Sequence, residues 1–159
     1  MLMSFANAAN KFNNSCSSCK QDRKHNCAHY ASDAMARAGF NILEPHSTIK
    51  ARCNGPKGTR RVLRAVNLRD WVVDQGYSAH DSRPPIGTAA FFYCKLNENG
   101  REHVGFISTT GQCIDTGATD DYGESANRNY YYWTDLLCFF NVFKRVLKNF
   151  LYCQMTFFF

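Results

Sequence analysis

Three short strand-like runs in the second half of the chain, residues 89–94, 103–107 and 112–115, are separated by the turn signals Asn99-Gly100 and Thr110-Gly111. Connections that short join antiparallel neighbours, because parallel strands need a crossover of a dozen residues or more. The runs therefore predict a three-stranded meander, entered through the chain break Arg83-Pro84-Pro85-Ile86-Gly87. A long polar loop is expected over residues 116–128, and a last strand within the apolar stretch 136–146.

Ahead of the sheet the hydrophobic period changes. Phe5, Ala8, Ala9 and Phe12 recur at spacings of three and four, which predicts a short amphipathic helix within residues 1–14. Asn26 is a good N-cap, Ala28, Ala31, Ala34, Met35 and Ala38 share one helix face, and Gly39 ends the pattern. Asp33 and Arg37, four apart, are expected to pair on the other face. A loop follows over residues 45–58, with Asn54-Gly55-Pro56 as its strongest turn signal. Val62, Leu63, Val66, Trp71, Val72 and Val73 then predict a further helical region ending at Gly76, with a strand over residues 59–65 as the alternative. Trp71 and Trp133 are expected in the core or lining a groove. Helices first and strands after, without repeat or linker, predict one α+β domain over residues 1–147, its N-terminal helices packed on an antiparallel meander. Residues 148–159 form an aromatic C-terminal tail.

Composition limits the classes of function. A chain of 159 residues, 45% hydrophobic and 20% charged, is long enough for a sizeable core. The net charge is +6, and Lys50, Arg52, Lys57, Arg60, Arg61, Arg64 and Arg69 fall within twenty positions. Such a patch suits either an anionic partner or a solvated face. No aromatic residues interleave with it, so nucleic acid is not expected as a partner. The start Met1-Leu2-Met3-Ser4-Phe5-Ala6-Asn7 lacks a basic and then apolar signal pattern. Cytoplasmic synthesis is therefore expected, with non-classical export if the protein acts in a periplasm or on a wall. Lys144, Arg145 and Lys148 interrupt the greasy C-terminal stretch, so no spanning helix is predicted. The eight cysteines show no disulfide framework and are expected as reduced thiols, most of them in the core, with Cys94 and Cys113 in the strand runs.

Cys27 follows the capping Asn26, in the first turn of the alanine-faced helix. Free backbone N–H groups and the helix dipole stabilise a thiolate there. His103 heads an apolar strand and is the expected general base and acid. Asp115, across a tight turn, is the expected orienter of its imidazole, with Gln112 on the same short run as the substitute. The Cys27 N–H is a candidate for the oxyanion hole. Asn26 and His29 are expected beside the substrate, His29 as a structural or pocket-wall residue and His25 facing solvent.

In order along the chain, Cys27, the segment from Pro85-Ile86-Gly87 to Phe91-Phe92, His103-Val104-Gly105-Phe106-Ile107, Gly111-Gln112-Cys113-Ile114-Asp115 and Phe143-Lys144-Arg145-Val146 resemble the NlpC-type cell-wall endopeptidases and amidases. That family is a branch of the papain-like superfamily. Gln21, six residues before the cysteine, is similar in placement to the glutamine that papain-like enzymes keep for the oxyanion hole, which implies the same role for it. The resemblance covers about residues 15–147, with 40–82 not diagnostic. It implies a papain-like cysteine hydrolase that cleaves an amide in peptidoglycan peptides through a Cys27 acyl-enzyme, as a monomer and without a cofactor. Its small size is also similar to amidase toxins injected by type VI secretion, which implies an inhibitor or immunity protein as a partner. The context departs from the family pattern: Asn26-Cys27-Ala28-His29-Tyr30 replaces Asp-Cys-Ser-Gly-Phe, and the third residue is Asp115 rather than histidine. Asn-Cys-x-His-aromatic resembles the lecithin:retinol acyltransferase-like thiol acyltransferases and lipid hydrolases, but there the histidine precedes the cysteine. A third reading is a non-catalytic module in which Cys16 and Cys19, with His25, Cys27 or His29, bind zinc.

Overall fold

A computed structural model describes residues 3–20, 26–96, 100–115 and 128–134. The architecture is α+β: among the described residues three helices, α1 (Phe5–Lys11), α2 (Cys27–Arg37) and α3 (Ala65–Asp74), precede strands β1 (Ala90–Leu96), β2 (Glu102–Ile107), β3 (Cys113–Ile114) and β4 (Arg128–Thr134). The strands form one antiparallel sheet in the order β3-β2-β1-β4. The predicted meander is present, and the chain then crosses to the far side of β1.

β4 is a strand not expected from the sequence. Its pairing with β1 runs from Arg128 to Thr134, through the aromatic run Asn129-Tyr130-Tyr131-Tyr132-Trp133, between the polar loop expected over 116–128 and the stretch expected as the last strand. Tyr and Trp suit a pleated surface as well as aliphatic residues do. The stretch 136–146, expected as the last strand, and the tail 148–159 lie outside the described residues.

Local chemistry sets the helix bounds. The Ser4 hydroxyl caps α1 by accepting from the Asn7 N–H at 3.1 Å. The Asn26 carbonyl caps α2, accepting from the His29 N–H at 3.3 Å, and Gly39 leaves the helix with φ +93°. α3 begins at Ala65; before it the chain is extended, with Arg52 and Val62 joined by a single antiparallel bridge. The helical reading thus holds from Ala65 onward, and the stretch before it makes one isolated bridge instead of a strand.

One face of the sheet carries the main core. Phe91, Tyr93, Val104, Phe106 and Trp133 pack with Phe5, Ala28, Ala31, Met35, Leu68 and Trp71 beneath the helices. The alanine face of α2 allows close approach to β2. The opposite face holds Ala90, Phe92, Cys94, Ile107 and Tyr132. His103, Gly105 and Ile107 alternate with Val104 and Phe106 along β2, as strand geometry requires.

Asp33 also departs from expectation. It pairs with Arg37 at 2.9 Å, but it is 1% exposed and accepts from Arg61 Nε at 2.8 Å and Ser17 Oγ at 2.5 Å. The carboxylate therefore ties α2 to segments on both sides of it in sequence. The basic patch is partly consumed in the same way. Arg52 donates to the carbonyls of Ile42, Glu44 and Arg60, and Arg60 donates to that of Gly55. Arg69 pairs with Asp70 and lies 4.8 Å over the Tyr93 ring.

Candidate active site

The turn between β2 and β3 fixes where Asp115 lies. Thr109, Thr110 and Gly111 form a three-residue loop, with Gly111 in the left-handed region at φ +80° and the Gly111 N–H donating to the Ser108 carbonyl at 2.9 Å. Ile107 then faces Cys113, and Phe106 faces Ile114. One step further along that register sets Asp115 beside Gly105, diagonal to His103 and within side-chain reach.

The contact is made. His103 Nε2 lies 3.1 Å from Asp115 Oδ2, with the side chains 3% and 4% exposed. Gly105 is what lets this corner close. A Cβ there would meet the Phe92 ring at 2.7 Å and the Ile114 carbonyl at 2.8 Å. The Phe92 ring crosses over that space and packs against the imidazole, centroid to centroid at 5.8 Å. Gly105→Ala is therefore expected to cost about 1–3 kcal/mol of stability by overpacking, and to displace the Phe92 ring that walls His103. Urea unfolding checks this; an unchanged midpoint contradicts the close approach.

Cys27 is the first residue of α2, 9% exposed. Its N–H belongs to the first turn, whose N–H groups have no acceptor within the helix. The Cys27 side chain and Asp115 both hydrogen-bond to His103. Burial acts to lower the imidazole pKa, but these two partners outweigh it and raise the value from 6.5 to about 9. Asp115 engages Nε2, so Nδ1 is the nitrogen that can exchange a proton with the sulfur. A thiol at a helix start, an imidazole and a buried carboxylate thus stand in sequence. Such a relay can ionise the thiol, hold the proton on imidazolium and return it to a leaving group.

The other expected residues fall elsewhere. Asn26 uses its side-chain oxygen as the helix cap. Gln112 is exposed in the turn, where its N–H donates to Ser108 Oγ at 3.0 Å; it is Asp115 that meets the imidazole. His29 is fully buried and directs Nε2 at Cys19 Sγ, 3.4 Å away. Two residues along a helix is about 200° of rotation, so Cys27 and His29 project to opposite sides of α2. His29 is therefore not a wall of the Cys27 site. Gln21 and His25 lie outside the described residues. Cys94 is buried as expected, whereas Cys113 is exposed, 3.8 Å from Asp115 Oδ2.

The zinc reading anticipated part of a second cluster. Cys16, Cys19, His29 and Cys53 bring their ligand atoms together, all within 4.8 Å of one another. Cys27 does not belong to it, and Cys53, which the zinc reading does not include, does. The turn residues after it, Asn54-Gly55, and the CxxC spacing before α2 were the available signals.

No protein-family model and no curated protein matches the chain. Among solved structures, the effector–immunity system Tae4/Tai4 from Salmonella typhimurium, as a selenomethionine variant, aligns over 68% of this chain and 70% of that one. The identity is 17% and the TM-score 0.45. A likeness of that degree leaves the reading of the site to its residues. No helix among the described residues is long and apolar enough to cross a membrane.

Proposed function

We propose that this protein is a papain-like cysteine hydrolase that cleaves an amide bond in cell-wall peptidoglycan peptides. Cys27 attacks the carbonyl carbon, and the electron pair moves to the carbonyl oxygen near the Cys27 N–H. The thiol proton goes to His103 and from there to the leaving amine, giving an acyl-enzyme. Water then attacks the thioester with His103 as base and releases the carboxylate. Asp115 keeps the imidazole oriented and favours its protonated form.

The observation that carries the reading is the contact of one imidazole with both Cys27 and Asp115. The substrate class rests on the resemblance of the ordered segments around Cys27, His103 and Asp115 to NlpC-type enzymes. An immunity-type inhibitor that occludes Cys27 and export to a periplasm belong to the same reading.

The assay is release of new amino groups from purified peptidoglycan, followed against pH. The imidazolium is present below the His103 pKa and lost above it, so kcat/KM is expected to fall as pH rises through about 9. Asp115→Asn removes a charge that raises this pKa, and the basic limb should move toward 6.5. Absence of amine release at every pH overturns the substrate. A limb that stays put in Asp115→Asn overturns the role of Asp115.

A further inference from the structure

We propose that Cys16, Cys19, His29 and Cys53 form a structural zinc site that pins the start of α2 to the loops before and after it in sequence. In a tetrahedral site, zinc–sulfur bonds of about 2.3 Å and zinc–nitrogen bonds of about 2.0–2.1 Å separate ligand atoms by about 3.4–3.8 Å. The four ligand atoms already lie within 4.8 Å of one another, and the Cys19 Sγ to His29 Nε2 distance is 3.4 Å. Closing the site takes shifts of about 1 Å. Three thiolates and one imidazole are a soft ligand set that selects zinc over magnesium or calcium.

A cysteine sulfur in each of the two loops accepts a backbone N–H. The Cys19 N–H donates to Cys16 Sγ at 3.4 Å, and the Arg61 N–H donates to Cys53 Sγ at 3.2 Å. Such bonds stabilise thiolate ligands. The chain turns sharply after Cys19, where Lys20 has φ +53° and donates its N–H to the Cys16 carbonyl at 2.9 Å. Lys20 is the sole non-glycine residue with positive φ among the described residues. The two loops also interlock. A Cβ on Gly55 would lie 2.0 Å from Ser18 Oγ, and Ser18 bonds to Thr59 at 2.8 Å. Glycine two residues after Cys53 is thus what lets the first loop seat against the second.

Binding replaces the protons of three thiols, so up to three protons leave as one zinc ion enters. The resulting complex carries one net negative charge, in a segment rich in arginine: Arg52, Arg60 and Arg61. Cys27 stands outside the set, so the site holds whether or not the hydrolase reading does.

Metal analysis of the full chain, purified without chelator, is expected to give about one zinc per chain. Cobalt added to reduced, metal-free protein should produce thiolate-to-cobalt charge transfer and the d–d bands of a tetrahedral site. Stripping zinc should lower Tm by more than about 10 °C, and zinc but not magnesium should restore it. Cys53→Ser and His29→Ala should lose the metal, whereas His29→Cys should keep it, a pattern that simple misfolding does not produce. Cys27→Ala should retain full zinc content while testing the hydrolase separately. Failure of the reduced chain to take up added zinc, or a disulfide joining two of Cys16, Cys19 and Cys53 in protein isolated with its thiols trapped, overturns the proposal.

Discussion

Cys27→Ala and His103→Ala are each expected to lower peptidoglycan hydrolysis by at least about 10⁴-fold, and the double variant to be no slower than either single one. Non-additivity is the sharper half of this expectation. If the thiol gives its proton to the imidazole it touches, removing either partner removes the same step, and the second substitution has nothing left to take away. Residues that contributed separately, one to binding and the other to proton transfer, would multiply their effects instead. The alanine variants should also remain folded. Cys27 is the first residue of α2, in a turn capped by Asn26, and His103 lies on β2, whose ladder to β1 uses backbone groups alone. Circular dichroism and unchanged zinc content separate loss of chemistry from loss of structure. Substantial turnover by Cys27→Ala sinks the mechanism.

Those residues were legible because the signals for them are local. Asn26 announces a helix start, Thr110-Gly111 fixes a short hairpin, and the register between His103 and Asp115 follows from that loop length. What escaped the sequence depends on contacts between distant segments. Arg37 was visible as a partner of Asp33 four residues away, but Arg61, 28 residues further along, carries no local mark of its approach. Cys53 joins His29 and the Cys16–Cys19 loop only once the chain has folded back across the bridge between Arg52 and Val62. β4 carries no local mark for a related reason. Its aromatic run pairs with β1 across the long segment from 97 to 127, while the more aliphatic stretch after it looked the better strand.

Asp33→Asn should show how much the fold relies on one of these distant contacts, with an expected loss of about 3–5 kcal/mol of stability. The carboxylate is 1% exposed and receives four hydrogen bonds, from Ser17 N and Oγ, Arg37 Nε and Arg61 Nε. The substitution hardly changes shape. It leaves the 6%-exposed Arg61 with an uncompensated charge and turns part of the acceptor face into a donor. An exposed pair of Asp33 with Arg37 alone would contribute under about 1 kcal/mol, so the magnitude decides between a surface ion pair and an internal tie. The tie has a direction. Ser17 lies between Cys16 and Cys19, and the Arg61 N–H holds Cys53, so Asp33 anchors both cysteine loops to the helix that begins at Cys27. Urea unfolding of protein as purified measures the loss, and kcat of the molecules still folded should stay near wild type because Asp33 touches neither Cys27 nor His103. A loss below about 1 kcal/mol would mean that the carboxylate is not the fastener described here.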